Sequence, residues 1–206
     1  MSVKDLVVLV ADLDTELALK GAFSKPPKLG VRPFTYDIRR HPRRDPGCLR
    51  EGCDFLRSFK NQYDHALVLF DHEGCGKEAE SIATLENELQ THIAQSGWKH
   101  SAVIILHPEL EIWVWSDSPQ VDAVLGWTNH DPPLRRWLTI EGWLKANDLK
   151  PQLPKECLHA ALREVRRPVS ASLFEKLAQS VSFARCIDPA FLKLKNTLTT
   201  WFPPQG

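Results

Sequence analysis

Carboxylates follow three apolar runs in this chain, and each run reads as a strand. Leu6 to Val10 leads into Asp12, Asp14 and Glu16. Ala66 to Phe70 ends in Asp71-His72-Glu73-Gly74, and Ser101 to Leu106 leads past Pro108 to Glu109 and Glu111. In an open parallel sheet the loops at the carboxyl ends of the strands face one crevice, where ligands bind. Two or three hard oxygens from separate strand ends form the ligand set that Mg²⁺ or Mn²⁺ takes, with waters and a substrate phosphate completing the shell. Asp71 and Glu73 stand two apart, which puts them on one side of an extended segment. Anions crowded in a crevice repel one another and lose hydration, and a divalent cation relieves both costs. Acids after strands also cap helices and form turns, and Asp14 before Thr15, or Asp71 before Glu73-Gly74, suits that role as well.

Basic residues supply the complement. Arg39-Arg40-His41-Pro42-Arg43-Arg44 follows the second strand-like segment. Arginine matches phosphate bidentately, and phosphate contacts position a nucleic acid without reading its sequence; a solvated loop is the plainer reading. Lys77 is spaced to neutralise charge that develops on a reacting phosphate, and His41 to transfer a proton. Arg163, Arg166 and Arg167 occupy one side of a helix whose other side is Leu158, Ala161, Leu162 and Val165, the pattern of an amphipathic surface helix. Cys48, Cys53 and Cys75 with His41 lack the paired spacing of a zinc site.

The elements that must hold these residues alternate up to Pro108. Strands are expected at 6–10, 31–38, 66–70 and 101–106, the second near an edge because of Pro33. Helices are expected at 15–23, 48–62 and from the Gly74 turn to about Ser96. Such spacing implies parallel strands joined by crossovers. After Pro108 the segments 109–116, 119–125, 133–147, 155–167, 171–184 and 189–202 all read as helical. The expectation is an α/β core over residues 1–117 with a mostly parallel central sheet of about four strands. A helical layer over 118–206 packs on it as one compact unit, with seven tryptophans to bury.

Composition narrows the classes. The chain has 206 residues, 43% hydrophobic and 25% charged, which excludes wholesale disorder. No apolar run approaches the roughly 20 residues of a spanning helix, and the amino terminus reads as a strand, not a signal peptide. Lysine and arginine total 26, as do aspartate and glutamate, giving a net charge of zero. Bulk electrostatic gripping of nucleic acid is thereby disfavoured, though a local patch is not. Five cysteines at irregular spacings suggest no disulfide framework and fit a reducing cytoplasm.

The order of these motifs resembles a TOPRIM-type domain. The segments concerned are Asp12-Leu13-Asp14-Thr15-Glu16, then Asp71-His72-Glu73-Gly74, then Pro108-Glu109-Leu110-Glu111-Ile112-Trp113-Val114-Trp115-Ser116-Asp117. The resemblance is closest to the small TOPRIM-like proteins of bacterial defence loci, relatives of the RloB and OLD nuclease groups. Asp188-Pro189-Ala190-Phe191 with Trp201-Phe202-Pro203 is similar to the closing helix of one branch. The resemblance implies a Rossmannoid core and a Mg²⁺- or Mn²⁺-dependent phosphodiesterase, a nuclease in antiviral defence. Asp12, Asp71, Glu73 and Glu111 would hold metal, and Glu16, Glu109 and Lys77 would assist. Arg39, Arg40, His41, Arg43 and Arg44 would meet the DNA or RNA, and an ATPase or sensor protein would act as partner. Asp117 would be a ligand or the cap before Ser118-Pro119. Two departures matter: Asp12-Leu13 stands where the family has Glu-Gly, and Glu73 closes a segment that is Asp-x-Asp in the family. Each moves a carboxylate oxygen, which octahedral Mg²⁺ tolerates poorly, so a catalytically degenerate subunit that binds a partner is the alternative.

Overall fold

Residues 3–116, 118–145 and 147–204 are described in the computed structural model; Asp117 lies outside them. Strands β1 (Lys4–Val10), β2 (Tyr36–Arg40), β3 (Tyr63–Asp71) and β4 (His100–Leu106) form one all-parallel sheet in the order β2-β1-β3-β4. The chain leaves β1 towards one edge, then returns past it to β3 and β4. Strand order therefore reverses between β1 and β3, the place where an open sheet forms its crevice.

Alternation along each strand sorts the core into two layers. Leu6, Val8 and Val10 of β1, with Leu67, Leu69, Ile104 and Leu106, face α1 (Leu13–Phe23) and the carboxy-terminal helices. Val7, Leu9, Val68, Phe70, Val103 and Ile105 face α3 (Arg44–Arg57) and α4 (Ile82–Gln95). The first layer runs from Leu6 to Phe202 and takes in α5 (Pro119–Leu125), α6 (Leu134–Ile140), α7 (Pro154–Glu164), α8 (Ala171–Ser180) and α9 (Pro189–Trp201). A short α2 (Pro26–Leu29) joins α1 to β2. Helix α8 packs so closely on α1 that a Cβ at Gly21 would meet the Glu175 carbonyl oxygen at 2.5 Å.

Local chemistry moves several boundaries from their expected places. Strand β2 starts at Tyr36 rather than Val31, because Pro33 has no N–H for a ladder and Arg32 is tied to Asp5 and to the Phe202 carbonyl oxygen. Asp45-Pro46-Gly47 is not a turn but the opening of α3, where the N–H that Pro46 lacks has no intrahelical partner to lose. Helix α4 starts only at Ile82: Gly74 and Gly76 both take positive φ, and Ser81 then caps the helix by accepting from Thr84 N. Residues 110–113 form a single 3-10 turn rather than a helix over 109–116.

Gly47 answers to a contact rather than to a turn. It is buried in α3, and a Cβ there would stand 1.9 Å from Nδ1 of His41. That ring is buried and accepts from Arg43 N at 3.1 Å, so it cannot step aside freely. Helix propensity alone would favour alanine by about 1 kcal/mol, but overpacking costs roughly 1–3 kcal/mol. Gly47→Ala is therefore destabilising, with a melting temperature several degrees lower in a thermal scan; an unchanged or higher value would show that His41 yields.

Candidate functional site

Every strand of the sheet delivers an acid to the crevice at its carboxyl end. After β1, Asp12 caps α1: its Oδ1 accepts from Thr15 N and Thr15 Oγ1, both at 2.9 Å. The cap is therefore Asp12, and Asp14 is left to the crevice. Burial raises the Asp14 carboxyl, as does the Asp12 charge, while Lys155, Arg44 and His159 act the other way. After β2, α3 brings in Asp45, whose Oδ1 accepts from Asp71 N at 2.9 Å.

The densest part lies where β3 and β4 end. Asp71 is the last residue of β3, and Glu109 and Glu111 flank the start of the Leu110–Trp113 turn after β4. One carboxylate oxygen from each of these three residues lies within 4.8 Å of the others. Glu109 and Glu111 are each only 6% exposed. Asp71 Oδ1 is buried with no hydrogen-bond partner. A buried acceptor without a donor is costly, and three carboxylates this close cannot all remain charged. Burial, then the charges of Asp45, Glu111, Asp12 and Glu109, holds the Asp71 carboxyl well above its usual range. Burial, with Glu109 beside it, pushes Glu111 up to about 7.

Among the described residues, a lysine brings positive charge into this cluster. Lys155, in the first turn of α7, donates its backbone N–H to Glu109 Oε1 at 3.2 Å and places Nζ 3.6 Å from Oε2. Burial works against its ammonium, but the charges of Glu111, Glu109 and Asp71 outweigh it and raise its pKa. Hard oxygens with an unsatisfied buried member fit a divalent cation better than they fit a sealed core.

Other expected site residues lie elsewhere. Strand β3 stops at Asp71 and the chain turns, so the extended geometry that would align Glu73 with Asp71 is absent. Glu73 is exposed and stands outside the converging trio. Glu16 pairs with Lys20 at 2.6 Å and Arg40 at 3.0 Å, and Lys77 pairs with Glu80 at 3.0 Å. Arg43 is bound to Glu51, Arg39 lies over the Phe59 ring, and His41 is buried with its pKa lowered by desolvation. Of the arginines in 39–44, Arg44 is the exposed one whose charge acts on Asp14. Cys48 is buried beneath Asp45, Asp12 and Asp71; burial and their charge drive its thiol pKa far up, the reverse of a metal-ligating thiolate.

Two members of the site are missed by the sequence reading. Asp45 sits in what reads as a turn, although an acid in the first turn of a helix after a strand is the same signal as Asp14. Lys155 lies 44 residues beyond Glu111 in an ordinary amphipathic helix, and only the packing of α7 on the Leu110–Trp113 turn brings it in. Comparison of the chain with protein-family models, with curated proteins and with solved structures finds no match, so the reading of this site rests on its own geometry.

Proposed function

We propose that this chain is a divalent-metal-dependent phosphodiesterase, with Asp71, Glu109 and Glu111 holding Mg²⁺ or Mn²⁺. The observation that carries the reading is the convergence of these three carboxylates around a buried, unpartnered Asp71 oxygen. A bound divalent ion supplies positive charge to the phosphodiester and acidifies a water. The chain's own groups do the rest. Lys155 fixes Glu109 by two contacts, and with Arg44 it sets positive charge at a crevice that is otherwise acidic. Glu111 holds its proton up to near neutral pH and must give it up to act as a ligand, so cation affinity rises with pH.

The likeness to TOPRIM-type defence proteins extends the proposal to nucleic acid as substrate, to antiviral defence, and to an ATPase or sensor protein that licenses cutting. Five free cysteines suit the cytoplasm as its location, and among the described residues no helix is long and apolar enough to cross a membrane. One observation favours a non-catalytic subunit instead: Lys155 already brings a positive charge to Glu109.

Calorimetric titration with Mn²⁺ and Mg²⁺, paired with hydrolysis assays on DNA and RNA oligomers, separates these readings. The expected result is cation binding and metal-dependent cleavage in the wild type, both lost in Asp71→Asn. A melting temperature raised by Mn²⁺ accompanies it, worth about 2.7 kcal/mol at a hundred times the dissociation constant. Binding without cleavage of any oligomer would favour the subunit reading, and no binding at millimolar metal would overturn the metal site itself.

A further inference from the structure

Lys155 stands at the wrong end of its own helix. It is the second residue of α7, where the backbone dipole favours anions and disfavours an ammonium. The compensation comes from across the crevice. Glu109 accepts the backbone N–H of Lys155 at Oε1 and meets its ammonium at Oε2, and the charges of Glu111 and Asp71 act on the same ammonium. The lysine therefore answers to the carboxylate trio rather than to α7.

Its two contacts differ in how easily they break. The backbone N–H belongs to α7 and reaches Glu109 Oε1 at 3.2 Å whatever side chain residue 155 carries. Nζ stands 3.6 Å from Oε2, an ion pair longer than an ordinary N–H···O hydrogen bond. The lysine side chain is 49% exposed, and that of Glu109 only 8%. The ammonium can thus swing into water on its flexible stem, while the carboxylate stays where the surrounding packing holds it. One oxygen of Glu109 is fixed, and the other is open to exchange of its cation.

We propose that Lys155 is a resident counter-ion of the trio, which a divalent cation must displace from Glu109 Oε2 in order to bind. The proposal rests on the metal reading of these carboxylates and adds a control on it: the chain's own lysine sets the cation concentration at which the site fills. An ion pair at this exposure is worth up to about fivefold in an equilibrium constant. Repulsion between the ammonium and a divalent ion in the same crevice adds to that factor.

Calorimetric titration of the full chain with Mn²⁺ tests the proposal. Lys155→Met keeps the stem and the backbone N–H and removes only the charge. It is expected to bind Mn²⁺ roughly fivefold or more tightly than the wild type, whereas Lys155→Arg, which keeps the charge, should bind no more tightly. Asp71→Asn added to Lys155→Met should remove the gain, which assigns it to the trio. Equal or weaker affinity in Lys155→Met, in a chain whose circular dichroism is native, would overturn the counter-ion role and leave the metal reading standing; so would tighter binding by Lys155→Arg. Binding by Lys155→Met but not by the wild type would support the counter-ion and show that the native trio keeps its lysine in place of a metal. Binding by neither would overturn both. Lys155→Gln, polar but uncharged, repeats the comparison if methionine disturbs the fold.

Discussion

Glu111→Gln raises the stability of the metal-free protein at pH 8 by about 3 kcal/mol and leaves it unchanged near pH 4. Glu111 goes from an ordinary value of 4.5 to about 7 in the folded chain. Between those values the folded state keeps a proton that the unfolded state has released. The folded state thus binds more protons, and stability falls as pH rises through the window, by about 1.4 kcal/mol per pH unit at most. Below 4.5 both states are protonated and nothing is lost; above 7 the full cost is present. Asp71, Asp14, Asp45 and Glu109 are all raised by burial, so each adds to the fall in the same direction. Urea denaturation with a chelator present, at pH values from 4 to 8, measures the effect. Wild-type and Glu111→Gln curves that run parallel across that range would show that Glu111 is solvated and its neighbours distant. The prediction also separates function from fold, since the same substitution removes one of the three oxygens that would hold a cation.

Phe202→Ala destabilises the protein by about 3–5 kcal/mol, the range for removing a fully enclosed aromatic ring. Phe202 has no exposed surface. Its ring stacks on Phe34 at 4.6 Å with 13° between planes, carries the Arg32 guanidinium at 5.1 Å, and meets His65 at 5.0 Å. Its carbonyl oxygen accepts from Arg32 N at 3.1 Å. The residue therefore joins the end of α9 to the approach of β2. A substitution at the exposed Leu192 of the same helix, 40% accessible, should cost well under 1 kcal/mol. Chemical denaturation of the two variants compares them directly, and similar midpoints would mean that the terminal segment is dispensable.

The parallel sheet was legible because Leu6–Val10, Ala66–Phe70 and Ser101–Leu106 are β-rich apolar runs with helical periods between them. Strand β2 was not placed correctly because Tyr36–Arg40 is short, half-exposed and polar, and its position follows from pairing with β1 rather than from its own pattern. In the site, Asp71 was legible as an acid at the tip of a buried strand. The pairing of Glu73 with Asp71 relies on a periodicity of two that ends when the strand does. Glu109, a secondary candidate in the sequence, is a full member of the trio. Asp45 carries the signal of an acid in the first turn after a strand, whereas Lys155 depends on how α7 packs, and spacing along the chain holds no trace of that.

The close seating of α8 on α1 has a consequence during synthesis. Helix α1 and all four strands emerge first, yet the layer that covers their shared face closes only when Ala178 meets the surface at Gly21. That is about seventy residues after β4, or roughly 4–14 s at typical rates of elongation. Through that interval the apolar side of these strands lacks its cover, which is the kind of transiently exposed surface that invites aggregation and that chaperones exist to shield.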